Sequence, residues 1–225
     1  MESLGKKLLT ASAAGKADEV KSLLEQGAEI DVKADFDRTS LHLAAMYGRT
    51  ETVMLLIAAG ADVRHKDSLG STALHFALYS ARFSMLTEAS DVTIALINAG
   101  VDIHATNTHG RTALQLAGKN IARKAAIALI AHGADASSAT DMLNFPDLTG
   151  LTMRQAAVQG GLVDRLQVLL DQHPEEGDGD TPEELVKLAM QHTQDDAAAV
   201  LQAYMAARAI EEVLQPAPGM RAAKR

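Results

Sequence analysis

The residues best suited to chemistry in this sequence are its histidines. Two of them, His42 and His75, occupy matching places, each three residues after a threonine. An imidazole can transfer protons near neutral pH or bind a transition metal. Three others, His65, His104 and His109, lie in segments between predicted helices. They have no carboxylates at metal-ligand spacing beside them, so we interpret them as solvated loop residues and predict no metal site.

An acidic segment, 174–184, is a second candidate because its carboxylates could bind calcium. An EF-hand loop requires a glycine at its sixth position and a glutamate at its twelfth. Counted from Asp178, these positions hold Glu183 and Ala189, so the match fails. We interpret the segment as a hydrated linker, which leaves loose cation binding open.

Other catalytic signatures do not occur in the sequence. It has no Gly-rich phosphate loop, no GxSxG elbow and no HExxH helix. It also has no cysteine, which excludes a Cys nucleophile, a thiolate zinc site and a disulfide framework. Enzyme activity is therefore unsupported, and we predict a protein that is not an enzyme and needs no cofactor.

Composition and charge narrow the class of partner. The formal net charge is −8 and the pI is about 5.4, which argues against a nucleic-acid partner because such binding depends on clustered Lys and Arg. The N-terminus lacks the apolar run of a secretory signal, and no long uncharged apolar stretch predicts a membrane span. We expect a soluble, cytoplasmic protein, with delivery into a host cell by a signal-independent route left open.

One segment, 38–63, organises the chain because near-copies of its parts recur. Its opening TSLHLA at 39–44 returns as TALHFA at 72–77, TALQLA at 112–117 and a weaker TMRQAA at 152–157. Its closing glycine, Gly60, lies 33 residues after Gly27, and Gly133 lies 33 residues after Gly100. Between Gly60 and Gly100 the spacing is 40, so this copy contains seven extra residues.

A period of 33 with a TPLHxA-like opening resembles the ankyrin repeat, which is a β-turn followed by two antiparallel helices. The resemblance extends from about residue 4 to 170, and more loosely to 214. It implies an all-α ankyrin solenoid of about five repeats with a helical C-terminal cap. The predicted parts are an N-terminal cap at 1–33, repeats at 34–66, 67–106 with an insertion, 107–139 and 140–173 with a hairpin insertion, a degenerate repeat or cap at 174–215, and a flexible tail at 216–225.

The resemblance also implies a structural role for His42 and His75. In the family this histidine bonds to the threonine that opens the repeat and to nearby backbone. Gln115 and Gln155 take the matching places, and an amide can keep a similar bond. We therefore favour structure over catalysis or metal binding at these positions.

Two residues depart from the family pattern. Asp37 stands where the family usually has a turn glycine, and aspartate tolerates the left-handed backbone region better than most residues. Arg154 takes a place that the family fills with a buried leucine. It predicts that the first helix of the last repeat is shifted or that its end is partly exposed.

Partners of this family lie against the concave face made by the first helices and the hairpin tips. Carried over to this sequence, the exposed positions with partner-binding character are Asp35, Phe36, Arg38, Met46, Tyr47, Leu69, Ser71, Tyr79, His109, Arg111 and Lys119. Aromatic and Met side chains among them anchor interfaces more often than their numbers suggest. The alternative for Tyr47 and Tyr79 is that they only cover the seam between repeats.

The two insertions carry large apolar side chains and break the period. They hold Phe83 and Met85 at 81–90, and Met142, Leu143 and Phe145 at 140–146. We predict that they contribute to partner specificity. The alternative is that they fold back as local lids.

The resulting hypothesis is a protein-binding module that is a monomer when free and binds another protein through a preformed concave face. Its Ala-rich, Cys-free composition would suit a bacterial protein, either an inhibitory or immunity-type partner or a host-directed protein. One alternative is an accessory or substrate-locating subunit, or a fragment, of an enzyme. A designed scaffold is disfavoured by the irregular insertions and by Asp37 and Arg154.

Overall fold

The computed structural model describes residues 3–80, 88–120, 122–135, 151–172 and 181–214. Within these ranges the regular structure is α-helical, and the only β-type pairing is an isolated bridge between Thr106 and Thr112. The helices are α1 (Leu4–Ala14), α2 (Ala17–Glu25), α3 (Ser40–Met46), α4 (Thr50–Ala58), α5 (Ala73–Ser80), α6 (Glu88–Asn98), α7 (Ala113–Lys119), α8 (Arg123–Ala131), α9 (Met153–Gln159), α10 (Val163–Gln172), α11 (Pro182–Gln191) and α12 (Asp195–Leu214). The predicted all-α class is confirmed.

The chain divides into two compact units, Met1–Ala156 and Ala157–Arg225. In the first unit the helices form antiparallel pairs, each packed on the next pair along the chain. The first helices of the pairs, α1, α3, α5 and α7, pack on one another in that order. The second helices, α2, α4, α6 and α8, do the same. The unit is therefore two layers of helices.

Repeated leucines fill the space between these layers. One set lies on the first helices and is almost fully buried: Leu8, Leu41, Leu74 and Leu114. A second set, on the second helices, consists of Leu23, Leu56, Leu96 and Leu129. Each fully buried leucine contributes roughly 1.5–3 kcal/mol of transfer free energy. A single helix pair has too little interior to bury such side chains alone, so stacking of neighbouring pairs stabilises the fold.

Of the two alternatives predicted from Arg154, the shifted helix is wrong and the partly exposed helix end is confirmed. The helix α9 begins one residue after Thr152, just as α7 begins one residue after Thr112, so the helix is not shifted. The first residue of α9, Met153, is 39% exposed, whereas Arg154 itself is only 7% exposed. The long side chain is accommodated in the interior at the position of the leucine.

In the second unit, α12 packs on α10 and on α11. The start of α11 at Pro182 agrees with its sequence, because Thr181 is its N-cap and proline suits the first helical position. The Thr181 hydroxyl accepts the Glu184 amide at 3.3 Å, and the Glu184 carboxylate accepts the Thr181 amide at 3.4 Å. This reciprocal pair is a capping box.

We expect Thr181→Ala to destabilise α11 by about 1 kcal/mol, because the first turn loses its side-chain acceptor. The amides of α11 should then exchange with solvent about fivefold faster. Glu183→Ala is the matched control, since Glu183 lies in the same turn outside the box. Unchanged exchange in Thr181→Ala would show that the cap does not stabilise this helix.

None of the helices in the described ranges has both the length and the apolar character needed to cross a lipid bilayer.

Candidate functional site

Three loops precede the first helices α3, α5 and α7, and we call 34–38, 67–71 and 107–111 the tips. In the second and third tips a side chain holds the turn. Asp67 Oδ1 accepts the amides of Leu69 and Ser71 at 2.9 and 2.8 Å. Asn107 Oδ1 accepts the amides two and four residues later at 3.0 and 3.1 Å. These two tips are thus fixed by the same internal hydrogen bonds.

The first tip has Ala34 at the position of Asp67 and Asn107, so it lacks this acceptor. Its backbone differs accordingly. Phe36 and Asp37 are both left-handed, with φ of 61° and 58°. The left-handed region costs a residue with a Cβ roughly 1–2 kcal/mol, and a phenylalanine gains no local bond there. The tip therefore holds a strained aromatic residue, which is 59% exposed.

The tips are joined by backbone hydrogen bonds. The Ser68 amide donates to the Phe36 carbonyl at 2.9 Å, and the Thr108 amide donates to the Leu69 carbonyl at 2.9 Å. These bonds place equivalent residues of neighbouring tips side by side. Phe36, Leu69 and His109 are equivalent and exposed, and we call them the tip row.

Arg38 packs against Phe36 of the tip row. Its guanidinium carbon lies 5.2 Å from the centroid of the Phe36 ring and 4.8 Å from that of Phe76, both within cation–π range. Its Nε lies 3.5 Å from Oδ2 of Asp67, whose side chain is fully buried. Its contacts with Phe36, Phe76 and Asp67 restrict the rotamers of Arg38. The tip row therefore packs against a side chain with little conformational freedom.

Two exposed or half-buried tyrosines continue this surface along the first helices. Tyr47, after the end of α3, is 50% exposed. Tyr79 on α5 is half-buried, and its hydroxyl accepts the Asn107 side-chain amide at 3.1 Å. Tyr79 therefore joins α5 to the third tip, as expected if it covers a seam, whereas Tyr47 is free to contact a partner.

His42 is a structural residue. Its Nδ1 accepts the Thr39 amide at 3.2 Å and lies 2.8 Å from the Thr39 hydroxyl. Nδ1 therefore carries the lone pair, and Nε2 donates to the Ser71 carbonyl at 3.2 Å. Burial lowers the pKa of His42, and together with the neighbouring His65, whose ring centroid is 5.6 Å away, it brings this pKa to about 4.

The same arrangement recurs one repeat later. The Thr72 amide donates to Nδ1 of His75 at 3.2 Å, and Nε2 of His75 donates to the Arg111 carbonyl at 3.1 Å. Burial again lowers the pKa of this histidine. Both imidazoles are neutral and fully engaged, so neither is available for catalysis. The predicted structural role of the two threonine–histidine pairs is confirmed.

The glutamines at the matching positions also behave as predicted. The Thr112 amide donates to Gln115 Oε1 at 2.9 Å, and the Thr152 amide donates to Gln155 Oε1 at 3.2 Å. An amide oxygen thus replaces the imidazole nitrogen as acceptor.

The described ranges contain no group of three or more His, Asp or Glu side chains positioned to hold a metal ion. Of the loop histidines, His65 is bonded through Nε2 to the Asp37 carbonyl at 3.0 Å. This bond links the first tip to the segment that precedes the second tip.

The structure separates the sequence-predicted site residues into three groups. Those that are exposed or half-buried are Asp35, Phe36, Arg38, Met46, Tyr47, Leu69, Tyr79, His109 and Arg111. The prediction that Ser71 is exposed is wrong: it is 3% exposed, because Asp67 binds its amide and His42 its carbonyl. Outside the described residues lie Phe83, Met85, Met142, Leu143, Phe145 and the side chain of Lys119.

Sequence reasoning missed Asp67, which both shapes the second tip and pairs with Arg38. A signal for it was present. Asp67 and Asn107 both precede a tip glycine by three residues, which is the spacing at which Asp or Asn caps a turn.

A family model described as ankyrin repeats, in three copies, matches residues 8–93. This range includes the first and second tips, most of α1, and α2 to α5 complete. No curated protein matches the chain.

Proposed function

Because residues 8–93 of this chain are ankyrin repeats, we propose that it binds another protein through the tip row and the first helices. Ankyrin repeats are generally protein–protein interaction modules, and domains built from them are typically non-catalytic. The observation that carries the proposal is the tip row itself. Two of its members, Phe36 and Leu69, are large apolar residues that are 59% and 40% exposed.

The backbone of Phe36 strengthens the proposal. Residues held in a strained conformation occur most often at functional sites, where the surrounding structure enforces them. Here the strained residue of the first tip carries an aromatic ring and is 59% exposed. An exposed aromatic residue of this kind is a common anchor of protein interfaces.

The rigidity of the tips is a second support. Asp67 and Asn107 fix their turns internally, and Arg38 packs under the first tip. A surface that is already ordered loses little conformational entropy when a partner binds. Affinity can then come from a few exposed side chains, with Tyr47 extending the contact along α3.

Affinity capture tests the proposal. The wild-type chain, a Phe36→Ala/Tyr47→Ala/Leu69→Ala variant and a Met54→Ala variant would be immobilised and exposed to an extract of the source cells. Met54 is the matched control because it is 58% exposed on α4, in the layer of second helices. We expect a protein that wild type and Met54→Ala retain and the triple variant loses. Equal retention by all three would reject the tip row as the binding site.

A single substitution should separate binding from stability at this site. Asparagine tolerates the left-handed region, so Phe36→Asn should keep or slightly raise the free energy of unfolding, by no more than about 1 kcal/mol. The same change removes the aromatic anchor, so the captured protein should bind at least about tenfold more weakly. Calorimetric melting and titration of the captured protein measure the two effects. Loss of stability comparable to the loss of binding would contradict the assignment.

A further inference from the structure

A cleft of about 230 Å³ lies at the N-terminus of α4, at the end of α3 remote from the tips. The residues that line it are Gly15, Gly48, Arg49, Thr50, Glu51 and Thr52. It is therefore separate from the tip row, and the protein-binding proposal does not use it.

The start of α4 offers unpaired amide donors to this cleft. Arg49 is the N-cap residue, and its side chain makes no capping bond. The Val53 amide is bonded to the Arg49 carbonyl at 2.8 Å, but in the described part of the chain the amides of Glu51 and Thr52 have no acceptor. Free amides at a helix N-terminus, together with the helix dipole, attract anions.

Two hydroxyls lie beside these amides. Thr52 is only 1% exposed, and among the residues that the structure describes neither its Oγ1 nor that of Thr50 has a hydrogen-bond partner. A buried hydroxyl left unbonded is destabilising and rare in native structures. Packing does not require a hydroxyl here, since α6 and α8 place Val92 and Ala125 at the position of Thr52. A ligand that accepts hydrogen bonds would supply the missing partner.

Arg49 adds positive charge at the rim of the cleft. Its side chain passes over Gly15, where a Cβ would lie 2.6 Å from the Arg49 Cδ, so the glycine gives the arginine room. Its Nε donates to the Ala13 carbonyl at 3.2 Å, which fixes the guanidinium beside the opening. Glu51 also lines the cleft and opposes an anion with its own charge.

We propose that this cleft binds the tetrahedral oxyanion of a phosphate group through the amides of Glu51 and Thr52 and the hydroxyls of Thr50 and Thr52. The group is either inorganic phosphate or a phosphomonoester on another molecule. The size agrees, because a cleft of this volume is smaller than the roughly 300–1,000 Å³ of pockets for drug-sized ligands. Hydroxyl, amide and guanidinium donors together form the usual surroundings of a phosphate oxygen.

Amide chemical shifts of the full-length, ¹⁵N-labelled chain test the proposal. Inorganic phosphate and O-phosphoserine are titrated separately, with chloride as the control at constant ionic strength. We expect saturable shifts at Glu51 and Thr52 and none at Lys124 and Ala125, the second and third residues of α8, whose N-cap also makes no side-chain bond. Tighter binding of phosphoserine than of phosphate would identify a phosphorylated molecule as the source, and the reverse would identify the free ion.

Variants of the cleft give results of opposite sign. Thr52→Val removes one donor and should weaken phosphate binding about tenfold, while Glu51→Gln removes an opposing charge and should strengthen it about threefold. Thr50→Ala repeats the first test if Thr52→Val does not fold. The proposal is overturned if phosphate produces no saturable shift, if α8 responds equally, or if Thr52→Val and Thr50→Ala bind like wild type.

Discussion

Acidification from neutral pH to about pH 5 is expected to lower the free energy of unfolding by about 2 kcal/mol through His42 alone. Its pKa is about 4 in the folded chain and 6.5 in the unfolded chain. Between these values the unfolded chain binds the proton more tightly, so protonation favours unfolding. The contribution of neutral His42 to the free energy of unfolding is fully present above about pH 6.5. It decreases as the pH falls towards 4, where the loss approaches about 3 kcal/mol. His75, whose pKa is also lowered, should add to this loss.

The sequence itself provides the matched control for the acid effect. Gln115 occupies the position of His42 in its own repeat and accepts the threonine amide without titrating. His42→Gln should therefore keep the bond to Thr39 and lose much of the pH dependence between about pH 6.5 and 4. Urea unfolding of both proteins at several pH values measures the difference. Equal slopes for His42→Gln and wild type would contradict the neutral, buried imidazole.

Asp67→Ala is expected to destabilise the fold by about 3–5 kcal/mol. The carboxylate accepts the amides of Leu69 and Ser71, and its other oxygen faces Arg38. Alanine would leave two amides without an acceptor and a partly buried guanidinium without its counter-charge. Equilibrium unfolding in urea measures the loss.

Asp67→Asn is the comparison that separates the two causes. Asn107 shows that an amide oxygen can hold the same turn, because it accepts the corresponding pair of amides. Only the interaction with Arg38 is then lost, so we expect the free energy of unfolding to fall by about 1 kcal/mol. If Asp67→Asn were as damaging as Asp67→Ala, the ion pair and not the turn would be the main contribution.

The helix pairs could be predicted from the sequence because their signals are local and repeated. The openings at 39–44 and 72–77 place a threonine three residues before a histidine, and the family resemblance predicted the bond that Thr39 and His42 form. The start of the helix after Thr181 could also be predicted, since an N-cap residue, a proline and acidic residues occur in one turn.

Features that depend on residues distant in the chain could not be predicted in this way. Ser71 occurs in a loop, but His42 reaches its carbonyl from 29 residues earlier, so it is buried. Arg154 is charged, but it is only 7% exposed. Ala34 can be aligned with Asp67 and Asn107 in the sequence, but the left-handed backbone of Phe36 that goes with the missing acceptor is seen only in the structure.

The central claim is tested most directly by the dissociation constant between this chain and the captured protein. Titration calorimetry measures it for wild type, for the Phe36→Ala/Tyr47→Ala/Leu69→Ala variant and for Met54→Ala. We expect the triple variant to bind at least about a hundredfold more weakly while Met54→Ala binds like wild type. Equal dissociation constants for the triple variant and wild type would contradict a binding face built on the tip row.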